Sequence, residues 1–125
     1  MNLPSGHQTI MPYLILKGAS QFIDFTKKVF DAKDANEKVL RDDGTVKHAE
    51  IILNDSTIMV TDEIKDWPEQ NANLFVYVPD ADKTYKKALE NGATSLMGLS
   101  DQDYGRTCGV RDPFGNIWWI TSIRQ

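Results

Sequence analysis

The stretch Phe114-Gly115-Asn116-Ile117-Trp118-Trp119-Ile120-Thr121 lies sixty residues after Asn54-Asp55-Ser56-Thr57-Ile58-Met59-Val60-Thr61. Each opens on turn-forming residues and runs into an apolar strand that ends in Thr. Ala32 and Ala93 recur at nearly the same offset. Identity between the two halves is thin, so what repeats is a pattern of elements, and that pattern decides the fold.

Working outward from the first copy, residues 11–16 form a short apolar strand that Gly18 ends. Ser20 is placed to cap a helix over residues 21–30, whose Phe22, Ile23, Thr26, Val29 and Phe30 recur at helical spacing. Residues 37–41 read as a short strand, Asp43-Gly44 as a turn, and Val46–Leu53 as a strand. A turn at Asn54-Asp55 leads to a strand over residues 57–61. The second copy has the same order. Residues 74–78 form a strand, and Asp80 or Asp82 caps a helix through Glu90 with Tyr85, Ala88 and Leu89 on its inner face. Asn91-Gly92 stops that helix. Strands follow at residues 94–97, 107–111 and 117–123, the last two joined by the turn Asp112-Pro113-Phe114-Gly115. The expected fold is α+β, two βαβββ units over residues 9–63 and 72–123 joined through the polar stretch 62–73, together one domain of residues 1–125. Each unit would expose an apolar sheet face and need the other to bury it.

The composition agrees with one globular domain. The chain has 125 residues, 41% hydrophobic and 26% charged. A chain of this length buries roughly two-thirds of its extended surface. Lys plus Arg number 14 against 18 Asp plus Glu, a net charge of −4, which argues against nucleic acid and against an anionic membrane as partners. The single cysteine, Cys108, excludes an internal disulfide framework and a Cys-rich zinc site. No apolar run approaches the ~20 residues of a membrane span. The N-terminus lacks the basic start and apolar core of a signal peptide, so a cytoplasmic protein is expected.

The paired pattern carries four motifs: Pro12-Tyr13-Leu14, Ile23-Asp24-Phe25, Gly92-Ala93, and Tyr104-Gly105-Arg106 followed by Asp112-Pro113-Phe114-Gly115-Asn116-Ile117-Trp118. In this order the chain resembles the vicinal-oxygen-chelate superfamily of glyoxalase I, bleomycin- and fosfomycin-resistance proteins and extradiol dioxygenases. With His48-Ala49-Glu50, it looks most like the subgroup labelled 3-demethylubiquinone-methyltransferase-like. The resemblance covers nearly the whole chain. It implies curved mixed sheets that enclose a ligand-holding cup, helices on the outer face, and a homodimer.

The resemblance also implies four metal-ligand positions, one on the first and one on the last strand of each unit, filled in the enzymes by His, Glu or Gln. Carried over, they fall at Met11 (or Pro12), Met59, Leu74 (or Asn73) and Trp119. Thioethers are soft ligands, and Leu and Trp offer no lone pair to a hard divalent ion. The usual metal site is therefore expected to be missing, and no cofactor is expected. Bleomycin-resistance proteins of the superfamily use such a cup for binding alone.

Strand alternation names the residues that share a face. Trp119 falls at a cup position, which turns Trp118 toward the helix layer. Met11, Tyr13 and Ile15 face the cup. On Val46–Leu53 the apolar set Ala49, Ile51 and Leu53 faces the core, so His48 and Glu50 face the cup. This gives a ligand-binding set of Met11, Tyr13, Met59, Leu74 and Trp119, with His48 and Glu50 as candidate catalytic residues. For Met59 and Leu74 the competing reading is plain core packing. Residues two apart on a strand can reach one ligand, though they seldom touch. A His near a carboxylate suits a general base; a polar, half-exposed strand face is the other reading. Tyr104 and Arg106 complete the candidate set. Arg106 either clamps a ligand anion or pins its loop to Asp101, Asp103 or Asp112. His7 is read as solvated and Cys108 as buried and inert.

The expected function is therefore a metal-independent small-molecule-binding protein whose partner is a small organic ligand. Two readings compete with it: a metal-dependent lyase, isomerase or dioxygenase with a site relocated to His48 and Glu50, and a structural dimer without a ligand.

Overall fold

The computed structural model describes residues 1–123. Its elements are β1 (Tyr13–Leu16), α1 (Ala19–Phe30), β2 (Lys33–Asp34), β3 (Val39–Leu40), β4 (Val46–Leu53), β5 (Ser56–Asp62), β6 (Asn73–Tyr77), α2 (Ala81–Glu90), β7 (Thr94–Gln102), β8 (Gly105–Arg111) and β9 (Ile117–Ser122). The fold is α+β. It divides into two compact units, one of residues 1–27 with 31–70, the other of residues 28–30 with those from 71 onward.

In the first unit the strand order is β1-β5-β4-β2, with β3 also on β4. β1 runs parallel to β5, and β4 antiparallel to it. In the second unit the order is β6-β9-β8-β7, with β6 parallel to β9 and the other pairs antiparallel. The first strand of each unit thus lies parallel to the last, and the repeated pattern becomes a repeated topology. The copies differ at one strand. Nine-residue β7 corresponds to two two-residue pieces, β2 and β3, where residues 37–41 had suggested one strand and nothing had suggested β2.

Each sheet has a closed face and an open face. In the first unit Leu14, Leu16, Ala49, Ile51, Ile58 and Val60 are buried, as are Phe22, Ile23 and Phe25 of α1. In the second, Cys108, Val110, Trp118 and Ile120 are buried with Ala81 and Ala88 of α2, and Phe30 at the end of α1 meets Trp118 at a ring-centroid distance of 4.4 Å. At roughly 25 cal/mol per Å² of apolar surface, each such residue contributes about 1.5–3 kcal/mol before chain entropy is counted.

The helix starts show how the repeat works. α1 begins at Ala19 after Gly18, and no side chain of its own caps it, so Ser20 does not do the work its position suggested. Asp62, at the end of β5, supplies the cap: its Oδ1 accepts from the backbone N–H of Gly18 at 3.1 Å and of Ala19 at 2.8 Å, and its Oδ2 from that of Val46 at 2.7 Å. A carboxylate there satisfies orphan donors and meets the positive end of the helix dipole. Sixty residues on, Ser122 at the end of β9 accepts from the N–H of Ala81, while Asp80 caps α2 through the N–H of Lys83. The inner face of α2 is Ala81, Thr84 and Ala88. Leu89 is exposed, and Tyr85 turns its hydroxyl to Ser95, so neither joins the expected face.

The turn Asp112-Pro113-Phe114-Gly115 is held by one buried carboxylate. Asp112 accepts from the N–H of Phe114 and Asn116, the Asn116 amide and the Trp118 indole. Gly115 takes the positive φ of 91° that the turn requires. Among the described residues no helix is long and apolar enough to cross a membrane.

Candidate functional site

The open face of the first unit carries a hydrogen-bonded chain of polar side chains. Alternation puts Tyr13, Met59, His48 and Glu50 on it, with Tyr13 and Glu50 both opposite Met59. His48 and Glu50, two apart on β4, touch directly, contrary to the expectation that they would not: His48 Nε2 lies 2.9 Å from Glu50 Oε2. The Tyr13 hydroxyl lies 3.1 Å from His48 Nδ1. His7 Nε2 lies 2.9 Å from Glu50 Oε1, which also accepts from the Asn36 amide at 3.0 Å. His7 is thus part-buried and engaged, which corrects its reading as solvated. Its segment is tied to β5: the Thr57 hydroxyl donates to the Gly6 carbonyl, and the Thr57 N–H to the Gln8 side chain.

Glu50 is only 6% exposed. The hydrogen bond from His48 is the main cause that holds its carboxyl below the ordinary carboxylate range. Burial works the other way, and His7 adds to the lowering. An ionised carboxylate only accepts, so each imidazole presents Nε2–H to it. Neutral His48 then keeps its Nδ1 lone pair for the Tyr13 O–H. The series Tyr13–His48–Glu50 can pass a proton from the phenol to the imidazole while the carboxylate stabilises the cation. His7 and His48 aim at Glu50 rather than at a common point, and among the described residues no group of three or more His, Cys, Asp or Glu could hold a metal ion.

A recess of about 450 Å³ opens beside Tyr13 on the same unit, lined by Arg41, Lys47, Thr61, Asp62, Ile15, Ile64 and Trp67. Lys47 reaches this face because the register of β3 on β4 shifts between Val39 and Leu40, a bulge that reverses the alternation after Val46. Ile64 and Trp67 pair across a tight turn, and Gln70 pairs with Ile15.

The open face of the second unit is aromatic. Phe75 pairs with Trp119 and Tyr77 with Thr121, so Asn73, Phe75, Tyr77 and Trp119 share it. Phe75 is 51%, Tyr77 63% and Tyr104 54% exposed. Phe75 lies 5.3 Å from Tyr77 and 6.2 Å from Tyr104, centroid to centroid. The Trp119 indole N–H donates to the Asn73 side chain at 2.6 Å.

Two expected members lie elsewhere. Leu74 pairs with buried Trp118 and sits on that face, one residue out of register with the set; Asn73 takes the place beside Trp119. Arg106 is on the closed face of β8 with Cys108. Its Nε donates to Asp82 Oδ1 at 2.9 Å, with Asp101 3.5 Å from its NH1, so it anchors the start of α2. Its partners are Asp82 and Asp101, of which the sequence had named only Asp101. Cys108 is fully buried, and desolvation pushes its thiol up to about 11, as suits an inert core residue. Met11 precedes β1 and is half-buried. The four positions that the family's metal would use hold two thioethers, an amide or aliphatic side chain, and an indole whose N–H is engaged by Asn73. That donor set does not fit a hard divalent ion. Asn36, Arg41, Lys47, Phe75 and Tyr77, which stand on these faces or beside the recess, were not among the expected residues. The alternation Asn73, Phe75, Tyr77 is the signal that would have found the last two.

Comparison with known proteins fits this architecture. The model of the Glyoxalase/Bleomycin resistance protein/Dioxygenase superfamily matches residues 10–120. The uncharacterized protein Rv0887c of Mycobacterium tuberculosis is 31% identical over 121 residues, covering 87% of this chain and 71% of that protein. Among solved structures, a putative 3-demethylubiquinone-9 3-methyltransferase, PhnB protein, of Bacillus cereus superposes with a TM-score of 0.76 at 22% identity, covering 92% of this chain and 99% of that one. TnmS3, an antibiotic binding protein from Streptomyces sp. CB03234, superposes with a TM-score of 0.71 at 16% identity, covering 94% of this chain and all of that one. At these identities the structures speak for the fold alone. The matched family model, reached from a repeated βαβββ topology, places the chain in the Glyoxalase/Bleomycin resistance protein/Dioxygenase superfamily.

Proposed function

We propose that this protein binds a small, flat organic molecule on its open sheet faces and does so without a metal. The observation that carries the reading is the second unit's open face, where Phe75, Tyr77 and Tyr104 stand more than half exposed beside Trp119. Exposed aromatic side chains clustered on one face mark an interaction site. The donor chemistry at Met11, Met59, Asn73 and Trp119 supports binding that does not pass through a divalent ion. TnmS3, an antibiotic binding protein, shares the fold and lends weight to a binding role. A homodimer belongs to the same reading, and a sedimentation mass of one chain at micromolar protein would remove it.

A thermal-shift screen of EDTA-treated protein against planar aromatic compounds tests the reading. A ligand at 100 times its Kd stabilises the native state by about 2.7 kcal/mol, a rise of several degrees in Tm. No rise across the panel, or tightly bound stoichiometric metal found by elemental analysis and lost with His48→Ala, would refute it.

A second reading rests on the Tyr13–His48–Glu50 chain, whose exposed phenol borders the recess. It is acid–base chemistry on the bound molecule, with Tyr13 as the group that touches it. Exchange of an acidic C–H of a bound ligand with solvent deuterium, abolished by Tyr13→Phe while binding persists, is the result that would establish it.

A further inference from the structure

The recess beside Tyr13 contains two cations, Arg41 and Lys47, that form no ion pair within 4.0 Å among the described residues. Among the described residues the guanidinium of Arg41 bonds to neutral oxygens: its Nη1 lies 3.2 Å from the Thr45 hydroxyl and from the carbonyls of Val46 and Asp62, and its Nη2 3.3 Å from the Thr61 hydroxyl. Among the described residues no salt bridge within 4.0 Å involves Arg41 or Lys47, whereas Lys17 and Lys27 each have one and Arg106 two. The two nearby acids make their hydrogen bonds elsewhere, although the charge of Arg41 still acts on Asp43 and helps to lower its carboxyl. Asp62 directs both carboxylate oxygens to backbone N–H groups of Gly18, Ala19 and Val46, and Asp43 accepts through Oδ1 from the N–H and hydroxyl of Thr45. On a chain of net charge −4, the recess is lined by two cations against the one carboxylate of Asp62. The neutral bonds fix the guanidinium in place without neutralising it, so its charge is available to a ligand. The exposed rings of Tyr13 and Trp67 stand on the same recess, whose volume of about 450 Å³ lies in the usual range for a small-molecule site.

We propose that this recess takes the anionic group of a small aromatic acid, with Arg41 and Lys47 contacting the carboxylate and Tyr13 and Trp67 the ring. This inference rests on the small-ligand reading above and adds to the aromatic face of the second unit a recess in the first that selects anionic ligands. A charge-assisted contact of this kind contributes more than a neutral hydrogen bond, and as a partly exposed one it weakens with salt.

The test titrates the protein calorimetrically with 2-naphthoate and with its neutral counterpart 2-naphthylmethanol. Naphthoate is expected to bind at least tenfold tighter at low salt, with the preference falling as ionic strength rises. Lys47→Met, at an exposed side chain that makes no ion pair among the described residues, is expected to cut the preference several-fold and leave the alcohol's affinity unchanged. Arg41→Gln is expected to do the same, and Lys47→Met keeps the test decisive if the Arg41 variant does not fold. Equal affinities, or a preference that survives Lys47→Met and high salt, would overturn the inference while leaving the ligand reading intact. Binding of neither compound would overturn both.

Discussion

Trp119 lies flat over Gly109, its pairing partner on β8. A methyl group at position 109 would stand 2.5 Å from Cζ3 and 2.7 Å from Cε3 of the indole. The ring cannot give way freely, because its N–H is held by Asn73 at 2.6 Å. Glycine at 109 is therefore the floor on which the aromatic face is laid. Gly109→Ala is expected to lift the ring, break the Asn73 bond and cost about 1–3 kcal/mol, as overpacking does. Urea unfolding measures the cost, and the indole N–H resonance of Trp119 reports the broken bond.

Glu50 contributes stability that depends on pH. Its carboxyl titrates below its ordinary value because His48, and then His7, donate to the ionised form. A depressed carboxyl stabilises the fold at pH above its unfolded value, about 4.5, and that contribution is lost as pH falls through the folded value. Glu50→Gln is therefore expected to destabilise at pH 7 by roughly 1–3 kcal/mol, with the gap to wild type closing below about pH 4.5. Unfolding free energies of both proteins across pH 3–7 check the sign; a constant gap would contradict the assignment.

His7 donates to that same carboxylate from outside the regular structure. His7→Ala is expected to cost about 1 kcal/mol and to speed amide exchange around Asn36, which shares the Oε1 acceptor. An unchanged unfolding midpoint would return His7 to the solvent.

The start of α1 separates two candidate caps. Asp62→Ala leaves three backbone donors without their acceptor and is expected to cost about 2 kcal/mol or more. Ser20→Ala is expected to change stability by less than about 0.5 kcal/mol. The reverse order would restore the cap that the local sequence suggests.

Much of the fold was legible because its signals are local. The turn residues Asp43-Gly44, Asn54-Asp55 and Asp112-Pro113-Phe114-Gly115 bracket strands at the right spacing, and the sixty-residue repeat orders them. What escaped was set by partners distant in sequence. Asp62 caps a helix 43 residues away, and no local pattern at Ser20 reveals that. His7 is held through Thr57 and Glu50. Leu74 was misplaced because Asn-Leu-Phe-Val-Tyr is apolar enough that its alternation is weak, and only the pairing of Phe75 with Trp119 fixes which side faces out. Arg106 was offered an anion or an acid to bind, and the choice of Asp82 depends on how α2 lies along β8. His48 and Glu50 could be placed on the open face because Ala49, Ile51 and Leu53 on the other side of β4 are apolar. Lys47 was missed because a bulge in pairing with β3 overrides strict alternation.

The central claim is that an aromatic ligand seats on the Trp119 face without a metal. The direct measurement is the 1H–15N spectrum of the indole N–H groups in EDTA-treated protein as 2-naphthylmethanol is added. The Trp119 resonance is expected to move in a saturable way, while that of Trp118, buried and bonded to Asp112, stays in place. A Trp119 resonance that does not move at millimolar ligand, or that moves only once a divalent metal is supplied, would contradict the claim.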